Sequence, residues 1–327
     1  MKQILVRDYL QDVGQIPTPE FYSDSPDIIV HEQVKDPLDF FTRNYGEDLA
    51  EPFTRKKDNL LYVRARNLGA EKTVGYIRTY ASKATLFMNP VMWMNNVNKS
   101  LSGKTIVETQ PMAPGEIGVG VEPFVFNAKS SENYCHVAYV SDSGKEPDIP
   151  EEIESYGHFV TWVRYNRNVA LRNFNVLSSK NMSAMRQECE FANPSRDLQN
   201  KGGFLFTMKG DYPVGTEIVM ECEDMGLREC CRVEDEMMEH TFWIEKYIPP
   251  LFSGVLITTV YLPVNGRWPS GGCFSVSLYA TEDKNEEAML FSIRASQLKI
   301  FNKKVPQLMM ENDRLIKIGT CSTKLID

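Results

Sequence analysis

Phe274, Val276 and Leu278 alternate with Ser275, Ser277 and Tyr279, and the same period of two recurs in short runs along the chain. That period puts successive side chains on opposite faces of an extended backbone, whereas a helix needs apolar residues three and four apart. Leu61, Val63 and Ala65 interleave with Tyr62, Arg64 and Arg66, and Val74, Tyr76 and Tyr80 share a face of the next run. Each reads as a half-buried strand, and "NLGAEK" at 67–72 supplies the turn chemistry of a hairpin between them. Further strand-like runs fall at 104–109, 118–126, 133–140, 159–165, 169–177, 203–208, 216–222, 255–262, 273–280, 288–294 and 313–318. Only 37–46 and 89–101 read as short helices. Many short strands broken by Gly, Pro and Asn, without amphipathic helices between them, predict an all-β fold. The expected form is two antiparallel β-sandwich domains in tandem, immunoglobulin- or jelly-roll-like.

A chain of 327 residues is more than one core usually fills, which supports two domains. The weakest patterning lies at 178–190. The expected division is therefore an extended segment 1–58 packing on the first domain, a first sandwich over 59–180 and a second over 181–327. The apolar share of 42% and charged share of 24% are those of a folded, water-soluble protein. A net charge of −8 argues against nucleic acid as a partner. Arg7 and Asp8 interrupt the first apolar run before it could serve as a signal peptide, so synthesis in the cytoplasm is expected, with non-classical export left open. The apolar run 251–264 is too short to span a bilayer as a helix, and no transmembrane segment is expected.

Several words of residues 24–177 stand in a suggestive order: "DSPDIIV", "NLLYVRARNLG", "NPVMW", "EPFVF", "YCHVAYV" and "NRNVALRNFNVL". Together they resemble the immunoglobulin-like, cell-adhesion-related β-sandwich modules of bacterial proteins. The resemblance implies a sandwich fold and carries no catalytic residues with it. The C-terminal half is similar only to a second sandwich in general, and no family is assigned to it.

Chemistry-bearing groups are sparse. Gly115, Gly118 and Gly120 lack the spacing and the following helix of a phosphate loop and read as glycines that permit a bulge or close sheet packing. Cys135 and His136 are neighbours on one strand, so their side chains point to opposite faces and cannot form a nucleophile–base pair. Cys222, Cys230, Cys231 and His240 lack the paired spacing of a zinc site, and the seven scattered cysteines read as free thiols. The acidic runs 146–154 and 221–229 read as solvated loops, and no cofactor or metal is expected. Trp162 reads as strand core. Arg267 and Trp268, in the Pro/Gly-rich loop "VNGRWPSGG", are the expected binding contact. In "FVTWVRYNRNVALRNFNVL" (159–177), Asn166, Arg167 and Asn168 read as a turn between two strands, and Arg172 and Asn173 as structural hydrogen-bonding residues.

These readings converge on a non-enzymatic binding or assembly module. It would contact a protein partner, a glycan or its own copies through loops and sheet edges, as an accessory part of a bacterial secreted or toxin-like system. The alternatives are a β-rich membrane-acting toxin, motivated by alternation at 251–264 and 272–280, and a hydrolase with a site the sequence does not reveal.

Overall fold

A computed structural model describes residues 3–19, 23–51, 53–54, 56–82, 93–128, 134–146, 150, 156–174, 183–193, 201–281, 293–294 and 314–325. The chain divides into two compact units. The first is Met1–Ser82 with Met88–Glu152 and Thr161–Leu177; the second is Lys83–Phe87 with Ile153–Val160 and Ser178–Asp327. Antiparallel sheets build both, as the alternation predicts.

In the first unit β3 (Asp58–Asn67) is the spine. One edge carries β1 (Ile4–Leu5) and β2 (Ile28–Val30) end to end; the other carries β7 (Ile117–Val119) and β8 (Phe124–Asn127), with β5 (Lys99–Ser100) beyond β8. The facing sheet runs β10 (Val169–Phe174), β9 (Tyr134–Ser141), β4 (Tyr76–Ser82), β6 (Val107–Glu108). Leu61, Val63 and Ala65 point into the core with Ile77, Phe124, Ala138, Val140 and Phe174. The N-terminal segment serves both sheets. Besides β1 and β2, its Ser25 N–H donates to the Leu171 carbonyl at 3.0 Å and the Asn173 N–H to the Ser23 carbonyl at 2.9 Å, along β10.

Four expectations need correction. First, β3 is buried on both faces, because α1 (Pro37–Arg43) covers the side expected to face water: Tyr62 packs on Phe41 at 4.8 Å between ring centroids. Second, residues 67–72 do not close a hairpin. Both edges of β3 are already occupied, so β4 joins the other sheet, and the Asn67 amide holds the crossover by donating to the Glu71 and Met112 carbonyls at 2.7 and 3.0 Å. Third, Tyr156–Arg164 is a helix, α2, so 159–174 is a helix–turn–strand rather than a hairpin, and Trp162 is only half-buried on that helix; 175–177 lie outside the described residues. Apolar residues at 159, 160 and 163 fit a helical stripe, and all three are buried. Fourth, the expected helix over 89–101 holds only at its start: Trp93 is helical and 94–95 a turn, whereas Val97 bridges Tyr80 and Lys99–Ser100 pairs with β8; 89–92 lie outside the described residues.

The second unit stacks a four-stranded sheet, β11 (Ala184–Ala192), β16 (Ser253–Tyr261), β13 (Glu217–Cys222), β14 (Leu227–Arg232), against a five-stranded one. The latter is ordered β15 (Glu239–Tyr247), β12 (Lys201–Lys209), β17 (Cys273–Thr281), β19 (Arg314–Lys324), β18 (Ile293–Arg294). Phe204, Phe206 and Met208 are fully buried while Leu205 and Thr207 between them are half-exposed, the period of two made visible. Across the interior Phe191 meets Phe204 edge-on at 5.2 Å, and the Gln187 amide donates to Cys321 Sγ at 3.1 Å. The central strands β16 and β17, whose alternation suggested a membrane barrel, lie in different sheets of this sandwich.

A buried charge cluster ties the N-terminal segment to β3. Arg64 is fully buried on the helix-covered face of β3, and all five of its guanidinium donors find acceptors. Nε donates to Asp27 Oδ1 at 2.9 Å, Nη1 to the Asn44 and Phe41 carbonyls at 2.9 and 3.4 Å, and Nη2 to the Pro26 and Glu47 carbonyls at 2.6 and 3.2 Å. Two of these carbonyls lie at the C-terminal end of α1, where a cation is favoured. Asp27 also takes Arg7, at 2.7 Å from Nη2 and 2.9 Å from the backbone N–H, and the Arg7 guanidinium stacks 3.4 Å from the centroid of the Tyr45 ring. Asp27→Ala would strand two buried cations. It is expected to cost roughly 3–5 kcal/mol, read in urea unfolding as a lowered midpoint for the transition of the first unit; a midpoint within error of the native protein's would refute the assignment.

Candidate functional site

Three connections of the second unit meet at one end of its sandwich. Lys209 is opposite both Glu239 and Cys273, and Glu217 is opposite both Arg232 and Tyr261. Register therefore brings together the β12–β13 loop (210–216), the β14–β15 loop (233–238) and the β16–β17 loop (262–272). Backbone bonds lock the first two to each other: Gly210 N–H to the Met238 carbonyl at 2.9 Å, Gly215 N–H to that of Val233 at 2.9 Å, and Val233 N–H to that of Thr216 at 2.9 Å. Gly210 has φ +131°, and a Cβ there would sit 3.0 Å from the Gly272 Cα, so two of the loops touch through backbone that only glycine allows. Asn265, at φ 66°, turns the third loop, closed by a Gly266 N–H bond to the Pro263 carbonyl at 2.8 Å.

On this frame apolar side chains face water. Val264 is 93% exposed, Met238 64% and Val214 48%, and Met237 and Tyr261 are also exposed. The third loop carries both expected contact residues: Arg267 is exposed, and Trp268 is half-buried beside the buried Pro269. The exposed valines and methionines were not singled out from sequence. The readable sign was "EDEMM" (234–238), charge followed by two methionines between strands, a pattern with no core to serve.

The other sequence candidates sit elsewhere. Arg172, on β10, donates to both Asp48 oxygens at 2.8 and 2.9 Å and to the Ser25 carbonyl at 2.6 Å, bracing the N-terminal segment against the sheet. Asn173 is buried on the same strand. The Asn166 side chain donates to the Trp162 carbonyl at the end of α2, and that of Asn168 to the Val140 carbonyl at 3.0 Å. Gly118 and Gly120 are close-packing positions: a Cβ on Gly118 would come within 2.6 Å of Met112 Sδ, and one on Gly120 within 3.2 Å of Val107 Cγ1.

Cys135 and His136 are both buried, and burial pushes the thiol pKa up. His136 is boxed by Phe126, Phe53 and Phe174 at 4.6, 5.2 and 5.6 Å, and its Nδ1 accepts from the Asn98 amide at 3.1 Å. Loss of hydration drives its pKa down to about 3, so the ring is neutral and cannot act as a base of ordinary strength. His158 lies on α2. Cys222 is buried, Cys230 exposed and Cys231 half-exposed on the β13–β14 pair, while His240 belongs to the other sheet. Among the described residues no three His, Cys, Asp or Glu side chains are grouped to hold a metal ion. No helix among them is long and apolar enough to cross a membrane.

No protein-family model matches the chain, and no curated protein matches it. Among solved structures, a CARDB domain from Pyrococcus furiosus superposes with a TM-score of 0.24 at 16% identity, covering 38% of this chain and 84% of that one. The Enterococcus faecalis MSCRAMM ACE gives 0.18 at 9%, covering 72% and 87%. A Mobiluncus mulieris adhesin gives 0.18 at 10%, covering 82% and 88%. Overlaps this loose assign neither family nor function.

Two outcomes follow from the first unit. Folding favours neutral His136, so the unfolded chain binds more protons between pH 6.5 and about 3. Stability should then fall on acidification through that window, by up to roughly 1.4 kcal/mol per pH unit. A His136→Leu protein should show a flatter pH profile in thermal melts, and an equal slope would remove His136 as the cause. Arg172→Ala should cost about 1–2 kcal/mol, from one partly exposed ion pair and one charge-assisted bond. Its melting temperature should drop while partner binding is retained; loss of binding at unchanged stability would move Arg172 into a recognition role.

Proposed function

We propose that this protein is a non-enzymatic binding module that engages a protein partner through the loop end of its second sandwich. One observation carries the reading: two loops fixed to each other by backbone hydrogen bonds, and a third packed against them at Gly210 and Gly272, hold Val214, Met238 and Val264 out in water, with Arg267 and Trp268 on the third loop. Each exposed apolar side chain forgoes the stabilisation that burial would give it, about 25 cal/mol per Å². A loop whose only task is to connect strands gains nothing from placing them there. Grouped with an arginine and a tryptophan on a braced support, they have the composition of an interface core, where aromatic and arginine anchors dominate the binding energy. Bracing lowers the entropy lost on association, since the loops need little further ordering.

The test is native capture from extracts of the source cells, followed by cross-linking and mass spectrometry. Cross-links should concentrate in 210–216, 233–238 and 262–272. Truncating a central aromatic anchor costs about 2 kcal/mol or more, so Trp268→Ala should weaken capture at least tenfold without changing the melting temperature. Cross-links scattered over the sheet faces, or full capture by Trp268→Ala, would sink the reading; retention on a glycan array in place of a protein would replace it.

A further inference from the structure

We infer that the partner at this loop end presents a cationic polypeptide segment, with lysine or arginine next to an apolar anchor; this rests on the reading of that end as the binding face. Four of the carboxylates on the strands of the second sandwich are neutralised in place, while Glu229 on β14 is exposed and makes no ion pair among the described residues. Arg228 pairs with Glu221 at 2.6 Å, Arg186 with Glu188 at 2.8 Å, Arg232 with Glu217 at 2.9 Å, and Lys209 with Glu239 at 3.4 Å. The loop end departs from that pattern. Asp211, Glu234, Asp235 and Glu236 are all exposed there, and Arg267 is the one cation within the three loops. Asp211, Glu234 and Glu236 make no ion pair among the described residues, and Asp235 approaches only the buried His240, at 3.6 Å, while accepting from the Met237 N–H at 3.3 Å. Four carboxylates against one arginine therefore share this loop end with exposed Val214, Met237, Met238 and Val264.

The combination selects its partner by chemistry. A nucleic acid or an anionic glycan would bring like charge to within one Debye length of these carboxylates, and a neutral apolar surface would leave them desolvated without partners. Lysine and arginine satisfy both requirements. Their aliphatic stems can lie along the valine and methionine side chains while the cationic heads reach Glu234 and Glu236. Methionine's unbranched, polarisable chain adapts to whichever stem arrives.

Fluorescence anisotropy on the full chain tests this with two short labelled peptides of equal leucine and tryptophan content. One carries arginine and lysine at its polar positions, the other glutamate. The cationic peptide should bind at least about tenfold more tightly, and should weaken about fivefold or more between roughly 50 and 300 mM NaCl. Glu234→Gln/Asp235→Asn/Glu236→Gln should lose about tenfold in affinity, while Glu223→Gln/Asp224→Asn/Glu229→Gln, which removes as many charges outside these loops, should change it less than about twofold. Equal affinity for the two peptides, or equal loss in the two triple variants, overturns the inference, the second outcome by showing that only net charge was felt. If the cationic peptide fails while Trp268→Ala still abolishes native capture, the binding face stands and its cationic partner falls. If Trp268→Ala is silent as well, the face falls with it.

Discussion

The Asp27 carboxylate is shared by Arg7 and Arg64 on the helix-covered face of β3, and the segment preceding β3 is arranged around that fact. A buried guanidinium is tolerable only if every donor has an acceptor and its charge is answered. For Arg64 the acceptors come from Pro26, Asp27, Phe41, Asn44 and Glu47, five positions of one stretch of chain. That requirement fixes where β2 begins, where α1 stops and how the turn after it lies. The same stretch then supplies Asp48 to Arg172 on the facing sheet, so the N-terminal segment fastens both layers. A hydrophobic contact could slide by an ångström at small cost; a five-acceptor guanidinium cannot, which gives this region a defined register.

The sandwich class was legible because the period of two is a direct imprint of one buried face, as Phe204 to Met208 on β12 show; β17 keeps the apolar alternation although Ser277 and Tyr279 are buried as well. The readings failed where a strand or helix departs from that simple case. On β3 the alternation correctly placed Leu61, Val63 and Ala65 inward, but the covering of Tyr62 and Arg64 depends on α1, some twenty residues earlier, and no local pattern records it. At 159–163 the apolar residues fit either period over so short a run, and α2 emerges where a strand was expected. "NLGAEK" has genuine turn chemistry; what it could not reveal is that both edges of β3 were taken, which turned a hairpin into a crossover.

The candidate face was legible in part, and for a physical reason. Arg267 and Trp268 stood out because a tryptophan between glycine and proline residues has no strand to belong to. The rest of the face is assembled from loops separated by some fifty residues, and valine or methionine at a loop tip looks in sequence like any core residue. Only the register of β12, β15 and β17 at Lys209, and of β13, β14 and β16 at Glu217, shows that these loops share an end.

Both sandwiches thus resolve one problem, unlike charges and apolar groups held in defined places, in opposite directions. In the first unit Arg64 is drawn inside and matched donor by donor, with Arg7 sharing its carboxylate. In the second, four arginine or lysine pairs answer strand carboxylates on the sheet surface, and at the loop end carboxylates and apolar side chains project without such partners among the described residues. Loops pinned by backbone bonds can carry such groups without loosening the core, since the locking carbonyls and N–H groups are satisfied regardless of which side chains project. An end built this way can change its side chains, and hence its partner, while β12 to β17 remain as they are.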